Sequence, residues 1–380
     1  MKNPLSPGLY LRRNAGKTLP LIGVIVLAVT LICAIVSLIN SIPLSVRTIY
    51  KYSSHMLGVT PRGDPSMTQT LKARFEKESP YELDRISRVR ASETEVKSIV
   101  GKWTFAILAL EQDDIKFVLN RLDSKKITGR LPLPGKPELI MTEPVVRNLG
   151  LKIGDVVLGP EKESAYSPYD VKLVGIAQTN EWAMISNIEY YELNHLPPID
   201  LLLVFAKNES DQPKLDAWAI EHFKGERARM LSYSEVERES RLMFSTLYMI
   251  LNVVIGTLVF VITIMMGMLI NIYLSQRTQE FGLLQALGYT KASLVKRVAL
   301  ETILVVFGGW VLGLFVAMGL LNLVYWKLMY PSAYALDITD TSALIYTIPV
   351  PVAILLAAVL TLWHRFRTFD PVGVVERRLV

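Results

Sequence analysis

The sequence is almost without cysteine and histidine, and both shortages are informative. Cys33 has no partner for an internal disulfide, so any folded domain must be stabilised by its own core. His55, His195, His222 and His364 are scattered, and none has a neighbour at the His-x-x-x-His spacing of a metal site. There is no Gly-x-Ser-x-Gly, and no Cys or His arrangement supplies a nucleophile with its base. Asp113-Asp114 and Glu161-x-Glu163 are paired acids, but on a charge-balanced surface such pairs are solvated rather than catalytic. Gly16-Lys17-Thr18 imitates the end of a phosphate loop, yet the glycine required five positions earlier is Leu11, and a long apolar run follows.

Charge is missing from four long stretches: between Lys17 and Arg47, Arg241 and Arg277, Glu301 and Lys327, and Asp340 and His364. A helix needs about 20 apolar residues to cross a bilayer core, and each stretch can hold one. The first resembles a signal peptide behind Arg12, Arg13 and Lys17. Its run from Leu19 to Leu44 is much longer than a typical h-region and lacks an Ala-x-Ala site, so it reads as an uncleaved anchor. These spans hold no buried acid or base, only Asn40, Asn252, Asn271 and Asn322, which argues against a proton- or ion-coupled carrier.

Orientation follows the basic residues. Lys2, Arg12, Arg13 and Lys17 precede the first span; Arg277, Lys291, Lys296 and Arg297 separate the second and third; Arg365, Arg367, Arg377 and Arg378 follow the fourth. Both termini and the loop at Ser275 are expected in the cytosol. The block from Arg47 to Arg241 has 28 Lys+Arg against 29 Asp+Glu, so the net charge of +6 belongs to the membrane flanks and gives no reason to expect nucleic acid. Anionic lipid is the natural neighbour of those flanks.

The expected fold is therefore an integral membrane protein of four transmembrane α-helices with a large α+β extracytoplasmic domain between the first and second. The expected order is a cytosolic segment 1–18, spans at 19–44, 242–274, 294–326 and 341–363, the outer domain 45–241, an external loop 327–340 and a cytosolic tail 364–380. Within the outer domain, helical periodicity marks Asp113 to Leu122 and the stretch from Leu215 to His222 after a Ser210 or Asp211 cap. Strands are expected at Trp103 to Leu110, Glu138 to Met141, Val156 to Leu158, Val171 to Ala177 and Asp200 to Ala206. Turn residues from Gly129 to Gly135, a short helix from a Thr142 cap to Gly150, and the turn at Lys152 to Asp155 suggest an inserted subdomain at about 124–195. Ser234-Glu235-Val236-Glu237 forms a capping box from which a helical stalk can run unbroken past Arg241 into the second span.

Two further features lie in the spans. Gly309-x-x-x-Gly313 can let another helix approach closely, whether in this chain or in a second copy. Pro349 and Pro351 can kink the fourth span.

The segment 275–293 is short and amphipathic, with Phe281, Leu284 and Leu287 at helical spacing, Gly288 to end the helix and Thr290 to cap the next. Its apolar edge needs lipid or a protein groove. Arg277-Thr278-Gln279-Glu280-Phe281-Gly282-Leu283-Leu284-Gln285-Ala286-Leu287-Gly288-Tyr289-Thr290 resembles the cytosolic signature of ABC-transporter permeases of the macrolide-exporter (MacB) and FtsX type. Leu300-Glu301, the Gly308 to Gly313 stretch, Phe369-Asp370-Pro371-Val372, and Gly129 to Pro132 with Asn148 to Asp155 resemble the same family.

That resemblance implies a coupling helix docked on an ATPase, with Arg277, Thr278, Gln279, Glu280, Phe281, Gly282, Leu283, Leu284, Leu287 and Gly288 as the coupling residues. It implies a bacterial inner-membrane, multi-pass permease that binds no cofactor itself. ATP and Mg would be held by a separate ABC ATP-binding subunit, since eighteen residues before the first span leave no room for a fused one. A second permease subunit, identical or related, is implied, as is an extracytoplasmic adaptor or substrate protein. The expected work is non-catalytic: export of a hydrophobic or amphipathic substrate by mechanotransmission. The alternative is a signalling permease that regulates an extracytoplasmic enzyme without transport.

Overall fold

The structure, a computed structural model, describes residues 13, 15–62, 64, 66–162, 165–195 and 200–367. Expectations for Lys2, Arg12, Glu163, Phe369 to Val372, Arg377 and Arg378 lie outside the described residues. The chain divides into a helical unit (Met1–Asn40, Thr246–Tyr325 and Asp337–Val380) and an α+β unit (Ser41–Ser245 and Trp326–Leu336).

In chain order, α1 (Ala15–Ile49) is followed by β1 (Leu57–Thr60), α2 (Met67–Glu78), β2 (Leu83–Ser98), β3 (Gly101–Leu110) and α3 (Gln112–Arg121). Then come β4 (Ile127–Gly129), β5 (Glu138–Thr142), α4 (Glu143–Leu149), β6 (Val156–Leu158), β7 (Val171–Ala177), β8 (Met184–Asn187) and α5 (Ile188–Leu193). The remainder is β9 (Asp200–Ala206), α6 (Gln212–His222), β10 (Arg229–Leu231), α7 (Tyr233–Gln276), α8 (Thr278–Ala286), α9 (Lys291–Val324), α10 (Thr341–Thr347) and α11 (Pro349–Arg367). Four stretches are long and apolar enough to cross a membrane: Thr18–Ile49, Tyr233–Gln276, Lys291–Ser332 and Thr341–His364. They outrun the charge-free limits because each helix continues into polar sequence. In α7 the extension carries Glu235, Glu237, Arg238, Glu239 and Arg241. Its start differs from the expected capping box: Ser232 Oγ, at the end of β10, accepts from Glu235 N–H at 3.4 Å and lies 2.9 Å from Ser234 Oγ.

The α+β unit is built on one sheet in the order β10-β1-β9-β2-β3-β8-β5-β7-β4, with β6 on β7. The β3–β8 and β5–β7 pairs are parallel and the others antiparallel. The segment 124–195 thus adds β4 to β8 to the edge of β3 and continues the sheet. Strand β2 carries seven charged residues and still forms, because Arg88 and Arg90 reach Asp200 of β9 at 3.3 and 3.2 Å and Arg85 reaches Asp114 of α3 at 2.5 Å. That ion pair uses one of the two acids at 113–114.

Three apolar clusters hold the sheet. One surrounds Phe105, Leu139, Leu173 and Trp182; a second surrounds Ile115, Leu119, Ile185 and Phe205; a third sets α2 and α6 on β1 and β9 through Phe75, Leu215 and Phe223. Phe75 is fully buried, and its ring stacks on Phe223 at 4.8 Å. Removing such a side chain from water stabilises the fold by about 1.5–3 kcal/mol. The connection Trp326–Leu336 packs within this unit as well: Asn148 Nδ2 donates to Ser332 O (2.7 Å), Tyr334 hydroxyl to Ser98 O (3.1 Å), and Arg147 lies 4.2 Å from the Tyr330 ring centre.

One buried acid sets a pH dependence. Asp216 of α6 is 5% exposed, and burial raises its carboxyl from 3.8 to about 7, against a hydrogen bond from Gln212 Nε2 at 2.8 Å. The folded state therefore binds the proton more tightly than the unfolded chain. This stabilises the fold below pH 3.8, and the benefit is lost as pH rises towards about 7. Asp216→Asn is expected to raise stability at pH 8 by roughly 2–4 kcal/mol, at about 1.4 kcal/mol per pKa unit, and to flatten stability between pH 4 and 7. Denaturation of both proteins across that range is the check; parallel pH profiles would refute the assignment.

Candidate functional site

The segment between the second and third apolar helices folds into α8, held inside the helical unit by one arginine. Arg277 is the turn residue between α7 and α8, with φ −104° and ψ 4°, and is only 2% exposed. Its Nη1 donates to Glu301 Oε2 of α9 at 2.6 Å and to the Tyr273 hydroxyl at 2.9 Å; its Nε donates to Glu280 Oε2 at 3.0 Å. Arg297 completes the group, its Nε donating to Glu301 Oε1 at 3.2 Å. The Arg277 guanidinium also lies 5.1 Å from the Phe281 ring centre and 5.2 Å from that of Tyr273. Glu301 stands about 15 Å along α9 from Lys291 and is 1% exposed.

This buried network qualifies the expectation that the spans contain no buried ionisable group. Glu301 bounds an apolar stretch in the sequence, and three-dimensional packing draws it into the helix bundle with two arginines. A buried carboxylate is tolerated only when paired and hydrogen-bonded, and here both oxygens are satisfied. Arg277 and Arg297 therefore serve internal pairing as well as the basic flank used to orient the chain.

The expected coupling residues divide by face. Arg277, Phe281 and Gly282 are buried, and Thr278, Glu280 and Leu284 are half-buried. Gln279, Leu283, Ala286 and Leu287 are exposed and share one stripe at i, i+4, i+7 and i+8. Leu283 is 66% exposed and Leu287 72%. The apolar edge expected at Phe281, Leu284 and Leu287 is thus corrected to Leu283 and Leu287, because the stacked Arg277 draws Phe281 inward.

The end of α8 is fixed by its backbone. Gly288 N–H donates to Gln285 O at 2.9 Å and Tyr289 N–H to Leu284 O at 3.1 Å, the paired bonds of a Schellman end. That end needs a left-handed residue, and Gly288 supplies φ +92°. Thr290 Oγ1 then accepts from Ser293 N–H at 3.3 Å and starts α9.

Gly309 and Gly313 act inside the chain. A Cβ at Gly313 would stand 2.8 Å from Val29 Cβ, and one at Gly309 3.1 Å from Ile25 Cβ, so α1 and α9 touch along this stripe. Thr30 Oγ1 adds a hydrogen bond to Gly313 O at 3.1 Å. Pro349 divides the fourth span into α10 and α11, since it lacks the N–H that would continue the helix. Thr347, just before the break, accepts from Trp310 Nε1 of α9 at 3.0 Å. Pro351 falls in the first turn of α11, where a missing donor costs little.

Comparisons with known proteins give one family match and several structural ones. Residues 244–370 match the FtsX-like permease C-terminal domain. No curated protein matches the chain. Among solved structures, the periplasmic region of MacB from Actinobacillus actinomycetemcomitans is 9% identical, covering 49% of this chain and 92% of its own, with a TM-score of 0.29. The extracellular domain of the noncanonic ABC-type transporter YknZ from Gram-positive bacteria is 8% identical, covering 47% and 100%, with a TM-score of 0.26. A domain of a putative permease from Porphyromonas gingivalis is 12% identical, covering 47% and 91%, with a TM-score of 0.21. The matched segment opens inside α7 and takes in α8, α9 and the fourth apolar stretch, so this part of the chain is similar to the C-terminal domain of FtsX-like permeases.

Proposed function

We propose that this chain is the membrane subunit of an ABC exporter in the bacterial inner membrane, with both termini and α8 in the cytosol. A separate ATP-binding subunit binds ATP and Mg and docks on α8, and a second permease subunit completes the assembly. The observation that carries this reading is the pairing of an exposed apolar stripe, Leu283 and Leu287, with a buried anchor at Arg277. A helix anchored to α9 by charge-assisted hydrogen bonds transmits displacement rather than absorbing it. α7 runs unbroken for 44 residues from Tyr233 to Gln276. Such a rod would carry motion from α8 to the extracytoplasmic domain, and the load would be a hydrophobic or amphipathic molecule.

Cys33 is 2% exposed, so Leu287→Cys would introduce a freely accessible thiol on the proposed docking stripe. Full-length Leu287→Cys protein, co-expressed with its ABC ATP-binding subunit, is expected to cross-link to that ATPase through a short thiol-to-amine reagent. Efficient modification by a soluble maleimide with no ATPase adduct would overturn the docking assignment.

A further inference from the structure

An open cleft of about 900 Å³ lies in the α+β unit, between the α3–β4 connection and the β7–β8 loop. Its walls are tied together. Lys125 N–H donates to Gln178 O at 3.1 Å, Gln178 N–H to Lys126 O at 2.8 Å, and Glu181 N–H to Thr179 Oγ1 at 3.2 Å. The Thr179 hydroxyl donates to Leu122 O. Lys51, in the turn after α1, and Glu143, at the start of α4, also line the cleft.

Two buried polar atoms with no hydrogen-bond partner belong to residues lining this cleft: Ser124 Oγ and Glu181 Oε2. Glu181 is 7% exposed; its other oxygen takes Lys51 Nζ at 2.6 Å, with His55 Nε2 at 3.9 Å. Burial opposes its ionisation, but Lys51 and His55 outweigh burial and hold the carboxyl below the usual carboxylate range. A buried charged acceptor with an idle oxygen is costly and calls for an explanation. Beside it Asp123 is held at φ +53°, a conformation unfavourable for a side chain with a Cβ.

The lining chemistry narrows the ligand. Every side chain lining the cleft is polar, with the carboxamides of Asn120, Gln178 and Asn180 among them. Polar atoms make up most of the exposed lining, and its apolar part comes from the stems of these polar side chains, with no aliphatic or aromatic residue among the described lining to anchor a lipid tail. Planar carboxamides and carboxylates present paired donor and acceptor atoms, which match adjacent hydroxyls on a sugar ring. Two lysines against three acids leave little net charge for a strongly ionic ligand. The volume lies in the range of sites that enclose small ligands of more than one ring.

We propose that this cleft is a binding site for a neutral, hydroxyl-rich saccharide. The three carboxamides span neighbouring pairs of its hydroxyls and the two hydrogen-bonded loops flank it, with the unpartnered atoms of Glu181 and Ser124 buried among the lining residues. This site stands apart from ATP coupling at α8, so either assignment can fail without the other.

The test uses the full-length protein in lipid nanodiscs, with maltotriose and triacetylchitotriose as probes and triserine as a peptide of similar polarity. Saturation-transfer NMR is expected to show transfer to at least one sugar and none to triserine. Asn120→Ala and Asn180→Ala change exposed side chains and leave the core intact; each is expected to weaken sugar binding at least tenfold, with an unchanged melting curve. No transfer to either sugar, transfer in both variants equal to that of the unsubstituted protein, or displacement of the sugar by triserine would overturn the proposal.

Discussion

Glu301→Gln is expected to destabilise the helical unit by about 3–5 kcal/mol, the cost of breaking a buried ion pair and leaving its partner uncompensated. Glu301 accepts from two guanidiniums, Arg277 at 2.6 Å and Arg297 at 3.2 Å, and is 1% exposed. Without its charge the nearest remaining acid is Glu280, whose side chain is 35% exposed, and Arg277 is left to lean on it and on the Tyr273 hydroxyl. Arg277→Met alone should also destabilise, because Glu301 then keeps only Arg297. The double variant Arg277→Met with Glu301→Gln should recover much of the loss, since no unpaired buried charge remains between them. Thermal unfolding of all four proteins in one detergent closes the cycle. Singles and double that add within about 0.5 kcal/mol would mean that the two residues do not act as a unit. High salt should leave the coupling nearly intact, because screening acts weakly on buried pairs.

The same residues show what could be read from sequence and what could not. Charge-free stretches reveal spans because a bilayer penalises charge, and that rule needs no tertiary information. It also misreads Glu301, which ends an apolar stretch in the sequence yet is buried once Arg277 and Arg297 neutralise it. Strands β6, β7 and β9 were legible as short apolar runs between turn residues. Strand β2 was hidden because its charged positions are paid for by partners remote in the chain, Asp114 and Asp200. Strand β8 has four buried residues and no alternation to mark it. At the candidate site, Gly288 and Thr290 were legible because turn and cap chemistry is local. The inward rotation of Phe281 was not, since it depends on a guanidinium whose main partner is Glu301, in another helix.

That rotation allows anchoring and docking to be separated by mutation. Phe281 is 3% exposed, and Phe281→Ala is expected to cost about 3–5 kcal/mol of stability, as expected for a large side chain removed from a packed site. Leu283→Asp and Leu287→Asp alter side chains on the outer stripe and should each shift stability by no more than about 0.5 kcal/mol. If the stripe forms the centre of an ATPase interface, placing a carboxylate there should weaken the complex by about 2 kcal/mol or more, roughly thirtyfold at 25 °C. ATP hydrolysis stimulated by the permease should fall with it, while the melting curve of the permease alone stays in place. Gln279→Ala, on the same stripe but without apolar area to lose, should have a smaller effect. If the stripe rests on lipid instead, the two Asp variants will bind the ATPase normally and lose only their contact with the bilayer surface. Retained stimulation in both Asp variants, together with normal ATPase binding, would remove Leu283 and Leu287 from the coupling surface.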